Sequence, residues 1–302
     1  NQDNFYIFSA NGSLIDQIEI SEKIKSGFAI ADLDENGYDD IVFGTDDDNL
    51  YLIYDGNQIA PGFPFQGIDK FIYKPLILKL PEELTSDNYR IVVSSKNIIY
   101  QIDRYGDIVF EVEFSEDIST SPSVLNHQGF SKIFVGLKNG DIFWLDFNGN
   151  PYFFENINSE VIGEIVFSDL NSDFNPEIIA VNDLGEMHVL GIDGEYFQNF
   201  PLEFNFPFSS SPLVYDLDSD QDLEIIAGTT NAIVAVDVKS IGSTENYWNI
   251  FSNGFKRSSF SDFAFSYCVT GDVNQDYVIN VLDVVSLVNI IFYNDSITYN
   301  IL

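Results

Sequence analysis

Short apolar runs alternate with polar turns along most of this chain, and the runs are too short and too β-branched for amphipathic helices. Three of them, Ile41-Val42-Phe43, Ile178-Ile179-Ala180 and Ile225-Ile226-Ala227, each follow a nine-residue acidic stretch: Asp32–Asp40, Asp169–Glu177 and Asp216–Glu224. The second and third stretches begin 47 residues apart, and the first two 137 apart, close to three such periods. That spacing predicts degenerate copies near residues 78 and 124. Pro75–Lys79 with Arg90–Ser94, and Pro122–Leu125 with Lys132–Gly136, fill those places with strand pairs whose acidic turn is lost. Two further markers keep step. Phe63-Pro64 and Phe200-Pro201 are again 137 apart, and turn glycines recur at Gly12, Gly56, Gly106, Gly149 and Gly194, with a looser equivalent at Gly242. Asp-Gly and Asn-Gly between alternating apolar strands are strong hairpin signals, because glycine accepts the positive φ of such turns.

A period of about 45 residues holding four short strands is that of a β-propeller blade, in which radial four-stranded sheets share one core. A β-sandwich with coincidental spacing would not keep three markers in phase. The expected fold is therefore all-β, a propeller over residues 1–265, with five full blades at about 26–66, 67–114, 115–158, 159–204 and 205–255. Residues 1–25 supply only the second hairpin of another blade. Ser258–Phe265 is the candidate strand to close the ring with that half-blade, for six blades in all; the alternative is missing upstream sequence and a truncated seven-bladed ring.

The acidic stretches place oxygen-bearing side chains at alternate positions. In the first these are Asp32, Asp34, Asn36 and Asp40, with Tyr38 offering its carbonyl. Calcium takes six to eight hard oxygen ligands, mixing carboxylates, carbonyls and water, and alternate residues of a tight turn converge on one point. The corresponding sets are Asp169, Asn171, Asp173, Asn175 and Glu177, then Asp216, Asp218, Asp220, Asp222 and Glu224. Gly37 permits the sharp bend of the first loop. Phe174 and Gln221 stand in its place in the others, where a side chain must adopt a costlier backbone conformation. The pattern Asp-x-Asp/Asn-x-Asp/Asn-x-x-x-Asp/Glu before Ile-Val/Ile resembles the calcium-loop blades of integrin-α-type propellers, the FG-GAP or VCBS-like repeats. The resemblance covers about residues 1–255, with three of five blades carrying the full loop. It implies a secreted or surface propeller in which calcium pins the first hairpin of a blade.

The C-terminal segment, residues 266–302, reads differently. Asp272, Asn274, Asp276, Asn280 and Asp283 occupy positions 1, 3, 5, 9 and 12 of an EF-hand-like loop, with Val278 at the carbonyl position, and an apolar helix is expected from about Val281 to Tyr293. Gly271, Ile279 and Leu287 complete a likeness to one repeat of a type I dockerin, although Tyr277 stands where that family has glycine and no second repeat follows. That resemblance implies attachment to a cohesin-like domain or cell-surface scaffold.

Charge sharpens the picture. Lys+Arg 13 against Asp+Glu 48 gives a net −35 in 302 residues, which would repel phosphate and disfavours nucleic acid or an anionic membrane surface as partner. No apolar run reaches the ~20 residues of a membrane helix. The proposed carboxylate ligands account for −13 of the total, and four Ca²⁺ would return +8. The single cysteine, Cys268, leaves no internal disulfide, and a chain starting at Asn1 is expected to be a processed product or a fragment. Catalytic chemistry is thin: two histidines, His127 and His188, and no nucleophile or phosphate-binding motif. Trp144, Tyr247 and Trp248 are the candidates for stacking on a sugar ring, should they lie exposed. The expected function is a secreted, calcium-binding module for adhesion or recognition of a carbohydrate or protein ligand, without catalysis of its own. The alternatives are a polysaccharide lyase or glycosidase with its site on the propeller face, and a spacer that presents the dockerin.

Overall fold

The computed structural model describes residues 3–81 and 87–262. The dockerin-like ligands Asp272, Asn274, Asp276, Val278, Asn280 and Asp283, the helix after them and Cys268 all lie outside the described residues. Within those residues there are twenty-three strands and no helix. A lone hairpin, β1 (Asp3–Phe8) with β2 (Leu14–Ile20), comes first. Five sheets follow in chain order, antiparallel except where a late strand joins the second. The first holds β3 (Ala29–Ala31), β4 (Asp40–Gly44), β5 (Asn49–Tyr54) and β6 (Gln58–Ile59), with β7 (Phe65–Gln66) also on β5; the second holds β8 (Leu76–Lys79), β9 (Tyr89–Ser95), β10 (Ile98–Ile102) and β11 (Ile108–Glu113). β12 (Ser123–His127), β13 (Phe130–Gly136), β14 (Asp141–Leu145) and β15 (Pro151–Asn156) make the third. The fourth contains β16 (Val161–Ser168), β17 (Glu177–Asn182), β18 (Glu186–Leu190) and β19 (Leu202–Glu203), and the fifth β20 (Leu213–Tyr215), β21 (Asp222–Gly228) and β22 (Ile233–Ile241). These are the five expected blades, although the last has three strands rather than four.

Burial explains the patterning. β9 is buried at every position and β17 likewise, because neighbouring sheets cover both of their faces. The outer strand β11 alternates exposed with half-buried residues, since only one face meets a neighbour. Phenylalanines fill the spaces between sheets. Phe134 of the third sheet, 2% exposed, meets Phe154 of its own sheet at 5.7 Å and Phe167 of the fourth sheet at 5.0 Å. The hairpin packs on the first sheet through Ile20, Phe43, Tyr51 and Ile53.

The closing strand differs from expectation. β23 (Phe260–Asp262) does not complete the N-terminal hairpin; it lies parallel to β8, with Phe260 opposite Ile77 and Asp262 opposite Lys79. It ends a segment, residues 243–262, that touches the first strand of every sheet. Phe167 and Val214 donate to the carbonyls of Trp248 and Asn249, Ile30 and Ile77 to those of Ser258 and Ser259, at 2.8–2.9 Å, and the Asn126 amide reaches the Asp262 carbonyl at 3.0 Å. One turn-rich segment bonds to all five of these first strands, so β3, β8, β12, β16 and β20 gather around it on a common axis. Periodicity did not reveal this: it assigns residues 243–255 to the fifth blade, whereas they form no strand of its sheet.

Truncating Phe134 to alanine opens a cavity at the junction of two blades and is expected to cost about 3–5 kcal/mol, read as a lower midpoint of denaturant unfolding at unchanged slope.

Candidate functional site

Each acidic stretch is the turn between the first and second strands of its sheet: Asp32–Asp40 joins β3 to β4, Asp169–Glu177 joins β16 to β17, and Asp216–Glu224 joins β20 to β21. Three hydrogen bonds recur in all of them. The first residue's carboxylate accepts the N–H of the sixth: Asp32 from Gly37 at 2.8 Å, Asp169 from Phe174 at 2.9 Å, Asp216 from Gln221 at 3.2 Å. The fifth side chain accepts the N–H of the seventh, Asn36 from Tyr38, Asp173 from Asn175, Asp220 from Asp222. The ninth reaches back to the N–H of the second: Asp40 to Leu33 at 2.8 Å, Glu177 to Leu170 at 2.7 Å, Glu224 to Leu217 at 2.6 Å. The first two are local bonds of Asp and Asn side chains to backbone N–H groups, which curl the chain, and the third closes the loop across seven positions.

The backbone follows the same plan. The fourth residues, Glu35, Ser172 and Ser219, have φ of 61°, 58° and 65°, and the sixth, Gly37, Phe174 and Gln221, have 91°, 67° and 77°. Only Gly37 adopts this left-handed region without steric cost. Phe174 pays it in full view of solvent, 83% exposed, so no packing offsets the strain.

The loops differ in how they gather charge. Ligand atoms of Asp32, Asp34 and Asp40 lie within 4.8 Å of one another, as do those of Asp218, Asp220, Asp222 and Glu224. In the third loop Asp222 joins the cluster, while Asp216 is turned to its own backbone, accepting from Ser219 at 2.7 Å as well as Gln221. Asp169, Asp173 and Glu177 do not form such a group among the described residues. The Asn171 amide bonds Asp173 at 3.1 Å, the Asn175 side chain points back to the Asp173 carbonyl at 3.4 Å, and Tyr38 is 70% exposed with its carbonyl in the turn.

Burial works against ionisation at the loop ends. Asp40, with no exposed surface, is pushed up to about 6 by burial, opposed by the N–H groups of Asp55 and Leu33. Glu177 is raised to about 7, again by burial first. Asp222, hydrogen-bonded to the neighbouring Asp220 carboxyl, rises to about 6. Carboxylates held together in this way lower their energy by taking protons or by sharing a cation. The donors are hard oxygens, charged, with main-chain carbonyls at hand, which fits a calcium-type ion better than a soft metal.

The aromatic candidates are placed otherwise than a sugar platform requires. Trp248 is 2% exposed and its indole N–H donates to Glu164 at 3.0 Å, so it cannot stack on a ligand. Tyr247 is half-buried against the main core. Trp144 stacks on Tyr152 at 4.2 Å, with the Lys132 ammonium 4.6 Å from its ring centre, so its π-face is already engaged on that side. Neither histidine stands beside a nucleophile: His188 is buried with Nδ1 2.8 Å from the Tyr196 hydroxyl, and His127 sits half-buried at the end of β12. Sequence reasoning passed over Glu164. Its only signal is a carboxylate inside an apolar run, Val161–Phe167, where nothing else is charged.

No protein-family profile matches the chain, and no curated protein does. Among solved structures it is similar to BBS1N, crystallised in complex with ARL6DN and soaked with lead, at 12% identity and a TM-score of 0.55, over 82% of this chain and 74% of that one. A second crystal of that complex, soaked with mercury, aligns at 11% identity and 0.53, covering 80% and 73%. The WD40 β-propeller domain of Doa1 aligns at 13% identity and 0.46, over 68% and 61%. At such identities the likeness concerns the fold alone, a β-propeller.

Two outcomes follow from the loops. Replacing Phe174 with glycine removes the left-handed strain and loses no packing, so stability should rise by about 1 kcal/mol in thermal unfolding. In EGTA, melting should be highest near pH 4.5 and fall towards pH 7. Asp40 and Glu177 hold protons more tightly folded than unfolded, so their contribution is complete below their ordinary values and lost as pH passes about 6 and 7. Saturating Ca²⁺ should reverse that slope, because the ion binds the deprotonated form.

Proposed function

We propose that this chain is a calcium-stabilised β-propeller that serves as a secreted binding module, tethered through the dockerin-like sequence at 272–283. The observation that carries the reading is the threefold recurrence of one loop geometry between the first two strands of a blade. Each copy ends in a buried carboxylate, Asp40, Glu177 or Glu224, with no salt-bridging cationic side chain among the described residues. Among the described residues lysine comes near two of the loops: Lys79 pairs with Glu35, which is no proposed ligand, at 3.5 Å, and the exposed Lys239 reaches the cluster member Asp222 at 3.7 Å. A divalent ion in the cradle would satisfy those oxygens and offset a concentration of negative charge that a metal-free turn has no reason to keep. Secretion accords with this, since extracellular calcium sites work at roughly 10⁻⁴–10⁻³ M.

The role of a binding scaffold rests on the fold and on the occupied axis. With residues 243–262 bonded to the first strand of each of the five sheets, the propeller offers ligands its rim and loop ends. BBS1N, which shares the fold, was crystallised with a protein partner. A protein ligand is thus the favoured reading and a carbohydrate the second, with the half-buried Trp144 and the 43%-exposed Tyr152 as the aromatic surface such a ligand would meet.

Titrating Ca²⁺ into EGTA-treated protein should raise the melting temperature, each filled site adding about 1.4 kcal/mol at ten times its Kd. Asp40→Asn should remove one site's share of that rise and lower the stoichiometry measured by calorimetry by one ion. A melting curve indifferent to Ca²⁺ sinks the metal reading. Glycan arrays run beside turnover assays on acidic polysaccharides then separate binding from catalysis, because product release would replace the module with an enzyme.

A further inference from the structure

Glu164 is aimed at the propeller axis by a deliberate break in its sheet. The β16–β17 ladder skips from Ile162 to Val166, and the bulge turns on Gly163 at φ 74°, where an added Cβ would strike Ser211. The Glu164 N–H donates to the Ser211 hydroxyl at 2.8 Å, so the bulge is anchored on the next sheet. Bulges of this type re-aim a side chain, and here the result is a carboxyl that is 1% exposed. Its Oε2 accepts two hydrogen bonds, both from the axial segment: the Trp248 indole N–H at 3.0 Å and the Ser252 backbone N–H at 2.6 Å. Oε1 is buried without a hydrogen-bond partner, as is the Ser252 hydroxyl.

The charged group that faces it is Lys74, from the loop before β8, itself 6% exposed. Lys74 does not pair with the carboxylate. Its ammonium donates to the Arg257 carbonyl at 2.6 Å and lies 5.5 Å from the Phe251 ring, again on the axial segment. Arg257 stands beyond it and bears on Lys74. Ser211, on the loop before β20, and Trp248 and Ser252 of the segment do not titrate in the range that matters.

We propose that residues 243–262 form a releasable axial strap and that Glu164 is its proton-gated latch, closed while Glu164 is protonated and loosened when it ionises. Either form of Glu164 accepts the two strap hydrogen bonds, and Trp248, Ser252 and Lys74 favour the anion, but burying its charge away from water outweighs them. Burial accordingly raises it from 4.5 to about 7. Opening the strap would return it to water and to its ordinary value, so the opening constant is flat below pH 4.5, climbs between 4.5 and 7, and levels off above. Lys74, lowered to about 8 by burial, acts only above that window.

The test is amide hydrogen exchange on the full chain in saturating Ca²⁺, comparing residues 249–259 with the calcium-free blade strand β13 and correcting for intrinsic rates. From pH 5 to 7 the strap should open at least ~10-fold more, with β13 unchanged. Glu164→Gln keeps an acceptor for both donors and cannot ionise, so its strap exchange should be pH-independent. A strap as protected at pH 7 as at pH 5, or a Gln variant with the wild-type slope, overturns the proposal. Should that variant fail to fold, the Trp248 indole N–H in the wild type decides instead: its exchange must follow the same rise, and a flat profile rejects the latch.

Discussion

The carboxylate that ends each acidic loop and bonds to the N–H of the loop's second residue is the contact on which this molecule turns. It ties the first strand of a blade, which faces the axis, to the second, which sits between neighbouring sheets. Asp40 also accepts the N–H of Asp55, so in the first blade one buried carboxyl holds the first hairpin and the turn of the second together. A buried anion is costly unless it is compensated. The first and third loops bring further carboxylates to it, and the proposed cation would be that compensation.

The same tension between burial and charge recurs at the axis without the acidic cluster. Glu164 and Lys74 are both buried and lean on each other's field without touching, each bonded to the strap instead. Blade packing supplies the stability, through phenylalanines such as Phe134 and Phe167 that span neighbouring sheets. The polar axis supplies register. Five first strands donate to one segment, and that segment does for the ring what shared strands do in propellers closed by their termini. The N-terminal hairpin pairs with no other strand among the described residues, which leaves the strap as the element joining all five sheets.

Much of this was legible in the residues, and for a physical reason. A hairpin turn, an Asx-bonded loop and an apolar strand are settled by neighbours a few positions apart, so Asp32–Asp40, Asp169–Glu177 and Asp216–Glu224 announced their shape and their place before a strand. The cost of losing Gly37's equivalent was legible too: Phe174 and Gln221 do take the left-handed backbone. Which carboxylates meet was less so. Asp222 stands in the third cluster where Asp32 stands in the first, although Asp32 and Asp216 each accept two backbone N–H groups, a difference that spacing alone does not resolve.

The sequence by itself determined the strands, their period, the acidic turns and hence the β-propeller, because each is encoded in contacts local to one blade. Tertiary structure alone decided that Trp248 lies inside rather than on a ligand face, that β23 joins β8 instead of the first hairpin, and that Glu164 meets Ser252. These contacts join residues more than eighty positions apart, through a segment that pairs with strands of several blades. Only closing the sheets around a common axis brings them together.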